Sequence, residues 1–143
     1  MNAATILKAK GKDIVTVRPE ATLEEAARLL ATRGIGCLIV TGRGNTLAGM
    51  LSERDIVREI ARSGPTRLQA KVADCMSHPV HTCRLLDSID QLMTEMTSRR
   101  FRHIPVVEDG EILGVVSIGD VVKLRMAEAE MEAQAMRDYI TAG

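Results

Sequence analysis

The sequence predicts an α/β (α+β) fold built from two β-α-β-β-α repeats, followed by a long C-terminal helix. Two turns, residues 49–55 and 114–120, share the pattern Gly-hydrophobic-hydrophobic-Ser-x-x-Asp. Upstream of each turn, apolar residues recur at the spacing of an amphipathic helix. The second turn is followed by a stretch rich in Ala, Glu, Met and Arg, without Gly or Pro, which is typical of a helix.

Each element of the first repeat has a counterpart in the second. Short β-branched strands are expected at 14–17 and 80–82, and Thr22 and Ser88 are expected to cap the following helices. The buried faces of these two helices would be formed by Leu23, Ala26, Ala27 and Leu30, and by Ile89, Leu92, Met93 and Met96. Buried strands at 37–40 and 104–107 and third strands at 47–51 and 112–116 follow, and the last helices begin near Arg54 and Gly119.

The two repeats differ in length by a single position. Elements upstream of Val40 are separated from their counterparts by one position more than the Ser-x-x-Asp turns are. The change falls in the turn at Gly42, Gly44 and Asn45, where a loop tolerates a length difference. We expect the chain to divide into four parts. Residues 1–62 contain an N-terminal segment and repeat 1, residues 63–77 form a linker, residues 78–125 contain repeat 2, and residues 126–143 form a helical extension.

Two segments outside the repeats have apolar residues to bury. In the linker, Val72 and Met76 are expected to lie in a short helix that packs back on the core. In the extension, a stripe of apolar residues would pack on the body, on a second copy of the chain or on a partner helix. This apolar stripe consists of Met126, Ala129, Ala133, Met136 and Ile140.

Composition excludes several classes of function. The formal net charge of +0 argues against nucleic acid as the main partner, and Phe101 and Tyr139 are too few aromatics for a base-stacking platform. No apolar run is long enough to cross a bilayer and no secretory signal is recognisable, so we expect no membrane partner and a cytoplasmic location with three reduced cysteines. The histidines have no metal-ligand spacing, and no nucleophile constellation or P-loop is present, so we expect no enzyme and no catalytic cofactor.

The Ser-x-x-Asp turns carry the chemistry that suggests a ligand. The N-terminus of the helix that follows each turn favours a phosphate, to which the serine hydroxyl could also donate. The aspartate carboxylate offers two acceptor oxygens for the paired hydroxyls of a ribose. The alternative is that Ser52 with Asp55, and Ser117 with Asp120, only cap their helices.

Taken together, residues 14–22, 49–55, 72–80, 102–107 and 114–120 resemble a tandem pair of CBS domains, the cystathionine β-synthase module. The resemblance covers about residues 5–125. It implies a pseudo-twofold arrangement of the repeats, frequent dimerisation through helices, and two clefts between the repeats. In this family the clefts often hold AMP, ADP, ATP, NAD-type dinucleotides or S-adenosylmethionine.

The resemblance also implies which residues line the clefts. Asp55 and Asp120 would bind ribose, and Arg102 and His103 would reach phosphate. Because the equivalent residues of repeat 1 are Gly36 and Cys37, we expect the tighter site at Asp120, with Arg54 as a substitute cation beside Asp55. The full set of expected ligand-binding residues is Thr16, Ile35, Gly36, Cys37, Ser52, Arg54, Asp55, Thr82, Phe101, Arg102, His103, Ser117 and Asp120.

The first hypothesis is therefore a regulatory homodimer that senses an adenine nucleotide, such as AMP, ADP or ATP, or alternatively NAD(H), and signals to a regulated protein by a change of conformation. The alternative is a ligand-free assembly module that dimerises through its helices, with the apolar stripe as its contact surface.

Overall fold

The computed structural model describes residues 1–11 and 13–142. In chain order, repeat 1 contains β1 (Thr16–Val17), α2 (Leu23–Arg33), β2 (Cys37–Thr41), β3 (Leu47–Ser52) and α3 (Glu53–Ser63), and is preceded by α1 (Ala3–Lys10). Repeat 2 contains α4 (Ile89–Arg99), β4 (His103–Glu108), β5 (Glu111–Ser117) and α5 (Ile118–Ala142). Short 3-10 helices cover Arg43–Asn45, Pro65–Gln69 and Val72–Asp74. The mixed α+β repeat pair and its long C-terminal helix confirm the predicted fold class.

The predicted caps and buried faces of the repeat helices are confirmed. Thr22 and Ser88 each form a capping box with the residue three positions later, Glu25 and Gln91. One core contains Leu23, Ala26 and Leu30 with the strands of repeat 1, and the other contains Ile89, Leu92 and Met96 with those of repeat 2. Ala27 and Met93 are partly buried at the edges of these cores.

The sheets of the two repeats differ. In repeat 1, β1 pairs in parallel with β2, which pairs antiparallel with β3. In repeat 2 the strand predicted at 80–82 is wrong: only an isolated parallel bridge joins Cys83 to Val106 in the part of the chain that the structure describes. The cause is Pro105, which stands where repeat 1 has Ile39. The Ile39 N–H donates to the Val15 carbonyl at 3.1 Å, and proline has no N–H to donate.

Each repeat core is completed by a segment from outside the repeat. Val72 is fully buried in the repeat 1 core and Met76 packs against it, as predicted for the linker. The helix α1, which sequence reasoning did not identify, buries Ala3, Ile6 and Leu7 in the core of repeat 2. The chain therefore crosses between the repeats both after α1 and in the linker.

Helix α5 extends beyond the body of the molecule. Its one buried residue among the described positions is Val121, in its first turns. Met126, Met136 and Ile140 of the apolar stripe are 61–68% exposed. Packing of the stripe on the body, one of the three expected modes, is therefore not what the structure shows.

Candidate functional site

A cavity of about 710 Å³ lies between the two repeats, bordered by the start of α3, the C-terminal end of α4 and the first residue of β4. Nine of the thirteen expected site residues line it, and they come from both repeats. These nine are Gly36, Cys37, Ser52, Arg54, Asp55, Phe101, Arg102, His103 and Ser117. Thr16, Ile35 and Asp120 do not line it, and Thr82 lines a separate cavity of about 510 Å³.

The Ser52–Asp55 turn is held in shape by its own hydrogen bonds. The Asp55 N–H donates to the Ser52 hydroxyl at 3.2 Å, and the Ser52 N–H donates to Asp55 Oδ2 at 2.9 Å. The other carboxylate oxygen, Oδ1, lies 3.5 Å from an Arg58 guanidinium nitrogen. Ser52 and Asp55 therefore cap α3, and the cap bonds leave acceptor capacity on the Asp55 carboxylate, which lines the cavity.

The Ser117–Asp120 turn has the same internal bonds, at 2.9 and 3.1 Å, but a different environment. The Lys10 ammonium donates to Asp120 Oδ2 at 2.7 Å. Burial raises the pKa of Asp120, but the hydrogen bonds from Lys10 and Ser117 more than offset this, so the carboxyl pKa lies below its ordinary value. The expectation of a tighter site at Asp120 rested on Arg102 and His103, yet both of these side chains line the cavity that contains Asp55.

Arginines dominate the charge of this cavity. Five arginines line it, against two carboxylates, those of Glu53 and Asp55. Arg99 is held by Glu95 at 2.8 Å, while within residues 1–11 and 13–142 no ion pair joins Arg54, Arg100 or Arg102 to a carboxylate. The cavity thus presents several guanidinium groups to an anion, an arrangement that suits phosphate oxygens. The five are Arg54, Arg58, Arg99, Arg100 and Arg102.

Two partly buried titratable groups of the cavity are neutral at pH 7. Burial lowers the pKa of His103 below its ordinary value of 6.5, and the nearby Lys10 charge lowers it further. Burial raises the pKa of the Cys37 thiol to about 12, with a smaller contribution from Asp55. His103 can therefore hydrogen-bond a ligand but adds no charge, and positive charge at the site comes from the arginines.

Sequence reasoning missed the segment that enters repeat 2. Ser77, Pro79, Val80 and His81 line the cavity, and the His81 ring lies 5.5 Å from that of Phe101. His81 Nε2 also lies 3.2 Å from Glu95 Oε2. The signal that could have found this segment is its position directly before Thr82, which the resemblance placed at the border of a cleft.

The described residues offer no cluster of His, Cys, Asp and Glu that could hold a metal ion. None of the helices in the described part of the chain combines the length and apolarity needed to span a bilayer.

Comparisons with known proteins agree with this architecture. The model of the family described as "CBS domain" matches twice, at residues 10–62 and 72–127. The mitochondrial CBS domain-containing protein CBSX3 of Arabidopsis thaliana is 33% identical over 146 residues, which is 96% of this chain and 71% of that protein. The crystal structure of the CBS-domain containing protein ATU1752 from Agrobacterium tumefaciens superposes with a TM-score of 0.84 at 42% identity, covering 87% of this chain and 92% of that one. The CBS domain pair of protein MJ0100, crystallised in complex with 5′-methylthioadenosine and S-adenosyl-L-methionine, superposes with a TM-score of 0.79 at 22% identity, covering 90% and 98%.

Proposed function

The chain belongs to the CBS-domain family, as a tandem pair, and on that premise we propose that it is a regulatory module that binds an adenine nucleotide in the cavity beside Asp55. CBS domain pairs are regulatory, non-catalytic modules in general. The observation that carries the nucleotide proposal is the cavity itself, which places a carboxylate with acceptor capacity at a helix N-terminus and surrounds it with arginines.

The three parts of a nucleotide have matching groups in this cavity. The Asp55 carboxylate would accept hydrogen bonds from the ribose hydroxyls, which its cap bonds leave room for. Apolar and aromatic groups at Met50, Val80 and Phe101 would contact the base. Arg54, Arg100 and Arg102 would contact phosphate.

The charge of the cavity favours a phosphorylated ligand over a neutral or cationic one. The MJ0100 pair holds 5′-methylthioadenosine, which has no phosphate, and S-adenosyl-L-methionine, which carries a sulfonium cation. At 22% identity that likeness concerns the fold, so the ligand class for this chain is argued from its own residues. Five arginines against two carboxylates point to AMP, ADP, ATP or NAD(H).

Thermal unfolding with a ligand panel tests the proposal. At millimolar concentration, ATP, AMP or NADH should raise Tm, because a ligand that binds only the folded state stabilises it by mass action. S-adenosyl-L-methionine and 5′-methylthioadenosine should give smaller shifts. Asp55→Ala and Arg102→Ala should each reduce the shift, and Lys8→Met, on the exposed surface of α1, is the matched control.

Absence of a shift with every nucleotide would contradict the proposal. A shift that Asp55→Ala leaves unchanged would show that the nucleotide binds elsewhere.

The alternative, a ligand-free assembly module, is favoured by the exposed apolar stripe on α5. A homodimer through this helix is compatible with both functions, because a second copy of the chain could bury Met126, Met136 and Ile140. Sedimentation equilibrium of the full chain and of a Met126→Gln, Met136→Gln double variant would show whether each is a monomer or a dimer. A dimer that dissociates in the variant supports the stripe as the contact, and a monomer in both excludes it.

The regulated protein would respond to a ligand-dependent arrangement of the repeats and α5, which requires the nucleotide to bind one arrangement more tightly than the other. We also propose that the protein is cytoplasmic and that residues 63–77 are the linker between the two repeats.

A further inference from the structure

The strand that leads into each Ser-x-x-Asp turn, β3 or β5, is covered by the segment that precedes the other repeat. The two covering segments differ. In repeat 1, the Ser77 N–H donates to the Met50 carbonyl at 2.8 Å, and the Met50 N–H donates to the Ser77 carbonyl at 3.0 Å. The residue before Ser77 is Met76, whose side chain covers Gly49. The strand leading to Asp55 is thus covered by backbone and by an apolar side chain.

In repeat 2 the corresponding place is taken by a cation. Val115 stands where repeat 1 has Met50, and its carbonyl accepts a hydrogen bond from the Lys10 ammonium at 3.0 Å. The same ammonium donates to Asp120 Oδ2 at 2.7 Å. The alignment that pairs Val17 with Cys83, continued toward the N-terminus, places Lys10 opposite Met76, so the difference is one of residue type at matching positions.

The backbone that carries Lys10 is fixed by burial. Ala3, Ile6 and Leu7 of α1 are 0–4% exposed in the core of repeat 2, and the Gly11 N–H caps the helix by donating to the Leu7 carbonyl at 2.8 Å. The Lys10 side chain, 40% exposed, can leave without unpacking the helix. The ammonium is therefore held at the carboxylate by the fold and can be displaced by side-chain rotation.

We propose that Lys10 is a specificity-determining residue that weakens nucleotide binding at Asp120, so that each chain binds its first nucleotide at Asp55. This inference rests on the proposed function. The hydroxyls of a ribose are donors, as the ammonium is, so they compete with Lys10 for the acceptor oxygens of the Asp120 carboxylate. Among the described residues, the corresponding oxygen of Asp55 accepts the Ser52 N–H alone, and the Arg58 guanidinium lies 3.5 Å from the other oxygen.

Isothermal titration calorimetry with ATP tests the inference on the full chain. The wild type should show one tight site that Asp55→Ala removes and a second, weaker site, since a ribose at Asp120 must displace the Lys10 ammonium. Lys10→Met keeps most of the side-chain length but removes the charge, and should strengthen the second site about twofold without changing the first. Adding Asp120→Ala to Lys10→Met should abolish the strengthened site.

Two control variants separate charge from folding. Lys8→Met removes a lysine from the same helix and should behave as the wild type, and so should Lys10→Arg, which keeps a cation at the position. A second site that is unchanged or weaker in Lys10→Met would overturn the inference, since Lys10 would then be neutral to the ligand or bind its phosphate. Absence of ATP binding in every variant would overturn the proposed function as well, whereas a single site at Asp55 unaffected by Lys10→Met would overturn this inference alone.

Discussion

The two repeats of this chain share a backbone plan but differ in the surroundings of the aspartate that ends each Ser-x-x-Asp turn. Asp55 faces a cavity with several arginines, and Asp120 is paired with Lys10 of a helix from outside its own repeat. Both aspartates form the same two bonds with the serine three residues earlier. The shared bonds belong to local capping, and the difference comes from what the rest of the chain places nearby. Sequence symmetry therefore predicts equal scaffolds without predicting equal sites.

The largest expected effect comes from the glycine that begins each Ser-x-x-Asp pattern. A Cβ at Gly49 would lie 2.6 Å from Met76 Sδ and 2.9 Å from the Ser77 carbonyl oxygen, and a Cβ at Gly114 would lie 2.6 Å from Leu7 Cδ2. A backbone oxygen cannot move aside as a side-chain methyl can. Gly49→Ala should therefore destabilise by about 2–3 kcal/mol and Gly114→Ala by about 1–2 kcal/mol, within the usual range for overpacking. Urea unfolding measures both, and the reverse order would show that the cover on repeat 1 is the more adaptable one.

An intermediate and equal effect is expected for the serine caps. Ser52→Ala and Ser117→Ala each remove the acceptor for the N–H of the aspartate three residues on, at 3.2 and 3.1 Å. Loss of an N-cap costs about 1 kcal/mol. Chemical denaturation should give values for the two variants that agree within experimental error. A much larger loss for one of them would mean that the two turns differ in more than their outer partners.

The smallest expected effect is the acid dependence contributed by the Lys10–Asp120 pair. The pKa of Asp120 is lower in the folded chain than its ordinary value of 3.8. The stabilisation is therefore present above pH 3.8 and is lost as pH falls through the lower, folded pKa. Because the Lys10 side chain is 40% exposed, solvent screening limits the contribution to about 0.5 kcal/mol.

Urea unfolding at neutral pH and at a pH well below 3.8 measures this contribution. The stability lost between the two conditions should be smaller in Lys10→Met than in the wild type. Lys8→Met, which removes a lysine of the same helix, should lose as much as the wild type. An equal loss in all three proteins would show that the ion pair does not stabilise the fold.

Much of the fold followed from local patterns. Helical spacing predicted the buried faces of α2 and α4, because a helix places apolar residues at that spacing on one side, where they can be buried together. These faces contain Leu23, Ala26 and Leu30, and Ile89, Leu92 and Met96. The strand predicted at 80–82 does not form, and the residue responsible can also be found in the sequence. Pro105 lies on the neighbouring strand, and the missing N–H matters only once the pairing partner is known.

Local sequence patterns alone predict the two repeats, their capped helices and the pair of Ser-x-x-Asp turns, because these depend on contacts within a few residues. Through a resemblance between short motifs, the sequence also identified nine of the nineteen residues that line the cavity. Long-range packing sets which aspartate faces the cavity and which one is paired with a lysine. That distinction depends on α1, which packs in the core of repeat 2, and on Ser77, which bonds to Met50 of repeat 1. Contacts between residues as far apart as Lys10 and Asp120 leave no periodic pattern in the sequence, so only the folded chain shows them.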